Sequence, residues 1–293
     1  VENEGRQLQM AGLEVLETGM LTTVQDAGRP GHASLGVGRS GAADAASYAL
    51  ANRLLANPPG AAALEVTFGG LRLRARGTVT VAVTGAPGPV SVDGRGAAMN
   101  TVLSVPDGAE LRLGVPTRGL RGYLAVRGGV DVPPVLGSRS TDTLADLGPA
   151  RVAPGALLPV GAPPAGFPVT DAAPVAELPG TETTLRVVLG PRHDWFTPDA
   201  VRTLLSGVYE VSGRSDRVGA RLLGPPLDRH RKEELPSEGM VPGSLQIPTD
   251  GDPVLFLADH PVTGGYPVIA VVASEDLPRA AQARPGTRLR FRL

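Results

Sequence analysis

Cysteine is absent from the 293-residue sequence, which removes disulfides, thiolate metal sites and cysteine nucleophiles together. Lysine is reduced to one residue, Lys232 in "RHRKEE". A Schiff-base, P-loop or biotinylated lysine would have to be that residue, and none of their sequence contexts surrounds it. Aromatic residues make up 3%, with one Trp and four Tyr, so platforms for stacking sugars or bases are scarce. No apolar run approaches the roughly 18 residues of a membrane-crossing helix, and a soluble protein is expected. A positive surplus is missing as well: 28 Lys and Arg face 29 Asp and Glu, for a net charge of -1. Little is left to neutralise a phosphate backbone, which argues against nucleic-acid binding.

Familiar catalytic apparatus is lacking too. There is no G-x-x-x-x-G-K-[ST] for a nucleotide and no G-x-S-x-G nucleophile elbow. His32, His193, His230 and His260 never fall at i, i+2 or i, i+4, so no metal site is expected. The serine-rich "GSRSTDT" (137–143) reads as a turn whose Ser and Asp bond local backbone. The opening "VENEGRQLQM" has no basic stretch followed by an apolar one. Residues 1–12 are therefore expected to be a disordered lead-in or an appended remnant, and the chain to be cytoplasmic.

What is present is turn chemistry and short apolar runs. Gly 39 and Pro 29 imply many turns and few long helices. "GTVTVAVTG" (77–85), "AELRLGV" (109–115), "GYLAVRGG" (122–129), "TLRVVLG" (184–190), "DPVLFLAD" (252–259) and "VIAVVAS" (268–274) have strand lengths and strand composition. A mainly β protein of sandwiches or barrels follows. Val15 to Val24 reads as a further strand running into a turn. Two helices are predicted. "AADAASYALANRLL" (42–55) carries Ala46, Ala49, Leu50 and Leu54 on one face, with Ser40 as N-cap. "TPDAVRTLLSG" (197–207) has Thr197 as N-cap, Pro198 in the first turn and Gly207 past the end. The Pro- and Ala-rich stretch 162–182 loses periodicity and reads as a linker between segments 13–161 and 183–293. "GYLAVRGGVDVP" (122–133) is echoed by "GYPVIAVVASEDLP" (265–278), which suggests duplication of a β unit.

Three polar clusters are the candidate sites. The first, "TTVQDAGRPG" continued by "GVGRSGAAD", gathers Gln25, Asp26, Arg29, Ser40 and Asp44. A turn needs the glycines and the proline but not an amide, a carboxylate and a guanidinium. They suit anion binding near a helix start, or equally a cap and an Asp26–Arg29 pair across a turn. The second, "SGRSDRVGARLLGP" (212–225), holds Ser215, Asp216, Arg217 and Arg221. Its glycines argue for a loop on which two arginines could grip a carboxylate or carbamate, or lie on the surface paired with Asp216. The third spans 237–267: Glu238 and Gln246 flank one turn, and Asp259, Thr263 and Tyr266 bracket Gly264-Gly265. Paired glycines admit a ligand close to the backbone, or simply make a hairpin.

Taken in order, "GMLTTVQDAGRPGHASLGVGRSGAADAASYALANRLLAN", "AALEVTFGG", "RGYLAVRGGVDVPPVLGSRST", "SDRVGARLLGPPL", "SEGMVPGSLQIPTDGDPVLFLAD" and "TGGYPVIAVV" resemble one family across residues 13–293. It is known as allophanate hydrolase subunit 2 or as the C-type subunit of 5-oxoprolinase, and is related to the biotin-dependent carboxyltransferase domain of urea amidolyases. The resemblance implies two tandem cyclophilin-like β-barrel subdomains with a few short helices. It implies a subunit of an ATP-dependent 5-oxoprolinase, opening 5-oxoproline to glutamate, with the isolated chain inactive. Its partners would be a sister chain, the B-type subunit of 5-oxoprolinase (allophanate hydrolase subunit 1), and a third, lactam-utilisation-type chain. One alternative is a carboxyltransferase subunit moving CO2 from carboxybiotin to urea or a similar amide. Another is a non-enzymatic subunit antagonising a kinase-inhibitor-like sister protein. No cofactor is expected on this chain: ATP, and biotin where it takes part, would be handled by the partners. Hydrolysis of allophanate itself would require a serine amidase apparatus that the sequence does not show. Within the resemblance, Asp26 would fix Arg29, which would meet a small amide, lactam or urea-like substrate, while Arg217 and Arg221 would serve the second half. Gln246, Thr263 and Tyr266 would line the later loops. Val218 and Pro261 stand where the family commonly has Met and Gln.

Overall fold

The computed structural model describes residues 11–174, 178, 180–231, 233–249 and 251–293. The amino-terminal ten residues of the expected lead-in, and Lys232, lie outside them. The chain is mainly β. Up to residue 160 its strands form two antiparallel sheets packed face to face. One sheet has six strands, in the order Leu157–Pro159, Gly12–Thr18, Leu71–Arg76, Glu110–Leu113, Val90–Val92 and Arg95–Ala97. The other has five: Leu21–Gln25, Ala63–Thr67, Arg121–Val126, Val79–Gly85 and Val102–Val105. Leu13, Val15, Leu64, Val66, Leu71, Leu73, Val81, Val83, Leu111 and Leu124 fill the space between them.

The apolar run Val15–Val24 is two strands rather than one. Gly19, at φ 64°, turns the chain, and the two pieces join different sheets. Periodicity alone reads through such a break, because both flanks are apolar. The five-stranded sheet is buried on its second face as well, beneath helix α1 (Ala45–Leu54). The buried stripe of α1 is Tyr48, Ala51, Asn52 and Leu54, while Ala46 is exposed, so the helix is rotated from the expected face. Its N-cap is Asp44, whose carboxylate accepts the Ser47 N–H at 3.0 Å, and not Ser40. Both are good capping types; Ser40 is claimed by a distant partner described below.

The chain from 171 to 173 runs beside residues 100–102, with Val102 N–H donating to Asp171 O. Residues 182–292 then form a closed seven-stranded barrel. Around it lie Glu182–Leu189, Val268–Val272, Ser244–Gln246, Val254–Phe256, Gly219–Leu223, Tyr209–Val211 and Arg288–Arg292. Neighbours are antiparallel except at the seam, where Glu182–Arg186 pairs in parallel with Arg288–Arg292. Helix α2 (Pro198–Ser206) has Thr197 as its N-cap and contributes Ala200 and Leu204 to the barrel core. The short α3 (Leu277–Ala281) enters the junction with the first half. Among the described residues no helix is long and apolar enough to cross a membrane.

Candidate functional site

Strand parity sets the junction between the halves. Alternate residues of a strand face opposite sides, and Glu65 lies directly opposite Tyr123 in the five-stranded sheet. With Arg121 they point to the α1 side, where the barrel abuts. There Glu65 Oε2 accepts from Tyr123 Oη (2.7 Å) and from Ala43 N–H (2.9 Å). Arg217 enters from the barrel, 1% exposed. Its Nη1 donates to Glu65 Oε1, its Nε and Nη2 grip the two oxygens of Asp259 at 2.9 Å each, and Nη2 also reaches Gly41 O at 2.7 Å. Asp259 accepts in addition from Ser40 Oγ (2.7 Å) and from Thr143 N–H (2.9 Å) and Oγ1 (2.8 Å). Two carboxylates and one guanidinium are thus buried with every oxygen and nitrogen of theirs in a hydrogen bond, the condition under which buried charge is tolerated.

The ionisation states follow. Burial alone would raise the Glu65 carboxyl, but the Arg217 and Arg121 guanidinium groups, with Ala43 N–H and Tyr123 Oη, hold it below the usual range. Burial likewise opposes, and Arg217, Thr143 and Ser40 overcome, the charge on Asp259, whose carboxyl is also lowered. Arg217 is raised, because Glu65 and Asp259 outweigh its own desolvation. Burial and the charges of Glu65 and Asp44 push the Tyr123 hydroxyl well above its ordinary value.

Gln282, just after α3, completes the seam. Its Oε1 accepts from Leu120 N–H and Arg121 N–H at 2.9 Å, and its Nε2 donates to Arg121 O and to Asp44 Oδ2 at 2.8 Å. Arg121 itself reaches Ala281 O and lies 3.5 Å from Glu65. Sequence reasoning passed over Glu65, Arg121, Tyr123 and Gln282. A signal for Glu65 was present: one carboxylate inside "AALEVTF", an apolar run of a sheet buried on both faces.

The first predicted cluster is also internal. Asp26 does not hold Arg29. Its Oδ1 accepts from Gly28 N–H (2.8 Å), Ser138 Oγ (2.6 Å) and Ser140 Oγ (2.6 Å), and its Oδ2 from Arg139 N–H (2.6 Å). The Asp26 carboxylate therefore pins the 138–140 turn instead of pairing with the guanidinium. Arg29, 1% exposed, donates from Nη2 to Ser140 O and from Nε to Val135 O (3.4 Å). Its Nη1 makes no hydrogen bond and stands 4.0 Å from Asp142 Oδ2. Gln25 is buried and donates to Thr141 O (2.8 Å) and Thr23 Oγ1 (3.0 Å). The turn leaves no room for a side chain at Gly28: a Cβ there would stand 2.6 Å from Arg39 O, at φ +83°.

The other candidates separate. Arg221 is exposed on the strand Gly219–Leu223 and shares no face with the buried Arg217. Asp216 Oδ1 closes a local turn onto Val218 N–H (2.8 Å) and Gly219 N–H (3.1 Å), and Ser215 Oγ accepts from Arg221 N–H (3.1 Å). Gln246 is buried and donates to Tyr266 O at 3.2 Å, while Thr263 and Tyr266 are exposed beside it. Glu238 pairs with Arg192.

Above the junction lies a cleft of about 480 Å³ between α1 and the barrel. Ala43, Ala45 and Ala49 form one wall, Pro242, Leu257 and Leu277 the other, and Ser40 and Gly41 line it as well. Arg39 and Arg53, neither of them anticipated, also line it. Among the described residues no grouping of three His, Asp or Glu side chains is placed to hold a metal ion.

The sequence model of the carboxyltransferase domain, subdomain A and B, matches residues 35–293. The C-type subunit of 5-oxoprolinase from Escherichia coli (strain K12) is 35% identical over 285 residues, covering 95% of this chain and 90% of that protein. The urea amidolyase of Lachancea kluyveri is 34% identical over 313 residues, covering 95% of this chain but 17% of that protein. Among solved structures, the urea carboxylase of Kluyveromyces lactis superposes with a TM-score of 0.90 at 31% identity, covering 97% of this chain and 27% of that one. Sequence and fold agree: the chain belongs to the carboxyltransferase-domain family of subdomain A and B.

Proposed function

We propose that this chain is the C-type subunit of a multi-chain, ATP-dependent 5-oxoprolinase, which opens the lactam of 5-oxoproline to glutamate. The observation that carries the reading is similarity: a C-type 5-oxoprolinase subunit is 35% identical along 95% of this chain, and a second one, from Haemophilus influenzae, is 29% identical along 95% of it. A sister subunit and a third, lactam-utilisation-type chain would supply the ATP chemistry. The carboxyltransferase reading draws support from the superposition on a urea carboxylase; it would require carboxybiotin carried by another chain.

Within the 5-oxoprolinase reading, Arg29 is the group assigned to the substrate. It is the guanidinium of the first cluster with a donor to spare, since Nη1 makes no hydrogen bond while Nε and Nη2 are fixed on Val135 O and Ser140 O. A donor so held suits a carboxylate or the developing oxyanion of an opening lactam. The exposed Leu35, Leu136 and Leu144 sit on the loops around it, and docking of the sister subunit there would shape its access. Every guanidinium nitrogen of Arg217 is hydrogen-bonded within the junction, and the residue serves as the brace between the halves.

The test is glutamate release from 5-oxoproline and ATP by the co-purified chains, with this chain present and then omitted. Loss on omission supports the subunit assignment; undiminished release refutes it. Arg29→Lys in the complete complex should lower kcat/KM by roughly a hundredfold. Full activity of that variant would remove Arg29 from the substrate while leaving the subunit assignment in place.

A further inference from the structure

We infer that the cleft beside α1 is a second binding site, for an elongated organic anion with an apolar body, adjoining the turn that carries Arg29 but lined by Arg39 and Arg53 rather than by Arg29 itself. Three features lead there. The volume, about 480 Å³, is that of a site for a drug-sized molecule, and one five-membered lactam would fill only a fraction of it. The walls are apolar. α1 presents the small side chains Ala45 and Ala49 at helical spacing, and the barrel answers with Pro242, Leu257 and Leu277.

The charges form the third feature. Arg39 precedes α1 and Arg53 sits in its last turn, so the two lie toward opposite ends of a ten-residue helix, about 15 Å long. Both side chains are exposed. Arg39 donates from Nε to Ala27 O at 3.3 Å, and among the described residues neither arginine has a carboxylate partner. Asp26 also lines the cleft, but it is 6% exposed and its two oxygens already accept four hydrogen bonds. The lining therefore sets two guanidinium groups against one carboxylate whose oxygens are already engaged, with an apolar floor between the cations. Medium-chain fatty carboxylates and aryl sulfonates have the matching chemistry: one anionic end for a guanidinium and a body for the alanine face.

The purified chain titrated with anilinonaphthalene sulfonate should show a saturable rise in fluorescence that octanoate, but not octanol, displaces. The cleft is accountable if Ala45→Phe, at an exposed wall position, removes the signal. Replacing both Arg39 and Arg53 by Ala should weaken binding roughly tenfold. Thermal unfolding of each variant should match the parent. Should Ala45→Phe disturb α1, the arginine pair remains as the independent arm. Non-saturable fluorescence, displacement by octanol as well as octanoate, or unchanged affinity in the double arginine variant would each overturn the assignment. None of these outcomes depends on 5-oxoproline turnover, so the site and the proposed activity stand or fall separately.

Discussion

Arg217→Met is the perturbation that most directly tests the account of the junction. The substitution keeps an apolar stem of similar length and removes the charge that Glu65 and Asp259 share. Both carboxylates retain other partners: Tyr123 and Ala43 for Glu65, Ser40 and Thr143 for Asp259. Removing one member of a buried ion pair costs about 3–5 kcal/mol. A loss of about 4 kcal/mol near neutral pH is therefore expected, below the total stability of an ordinary domain. The pH dependence is more diagnostic than the size. In the parent protein both carboxyls lie below their ordinary values. Their contribution is therefore complete above the unfolded pKa of about 4 and is lost as pH falls through the lower folded values. In the variant burial remains and Arg217 is gone, which leaves Arg121 beside Glu65 but no ion-pair partner for Asp259 among the described residues, so both folded carboxyls rise and that of Asp259 moves above its unfolded value. Stability then falls as pH rises from about 4 through that raised value. The gap between the two proteins should be widest at about pH 8 and should narrow steadily as pH falls toward and below about 4. Urea unfolding followed by far-UV dichroism and by Trp195, the lone tryptophan and buried beside the barrel core, measures it. A cost below about 1 kcal/mol, or one that does not change with pH, would refute the ion network as the brace.

Gln282→Ala removes four hydrogen bonds and strands the N–H groups of Leu120 and Arg121; a loss of about 3 kcal/mol and faster amide exchange at both positions should be seen by calorimetry and exchange. Asp26→Asn should release the 138–140 turn, destabilising by about 2 kcal/mol and making that turn the first site of limited proteolysis. Gly28→Ala places a Cβ against Arg39 O at positive φ and should cost about 2 kcal/mol, read as a lowered urea midpoint.

Much of the architecture was legible because strand length and turn chemistry are local. "GTVTVAVTG" carries its own boundaries in its glycines, and the strand Val79–Gly85 lies inside them. The α2 cap at Thr197 was readable for the same reason. The polar clusters were visible as clusters, but not the partners of their members. Arg217 meets Glu65 across 152 residues, and nothing local distinguishes a guanidinium bound for the core from one bound for solvent. Arg221, four positions on, went the other way. Ser40 shows the same limit at a smaller scale. "RSGAAD" offers two caps of nearly equal propensity, and the choice of Asp44 is made by Asp259, which holds Ser40 from the other half of the chain.

The parallel seam of the barrel carries a consequence for biosynthesis. Glu182–Arg186 is joined to Arg288–Arg292, so the contact that closes the ring links segments roughly a hundred residues apart, the kind of long-range pairing that slows folding. On the ribosome the second half cannot complete its hydrogen bonding until Arg288–Arg292 has emerged. Until then the strand Glu182–Leu189 presents an unpaired edge, a template for another chain. It carries alternating charge at Glu182 and Arg186, which suits an edge that has to wait. The first half has its own sheets and needs no such delay, but its Glu65 would wait with it, uncompensated by Arg217 until the barrel is made.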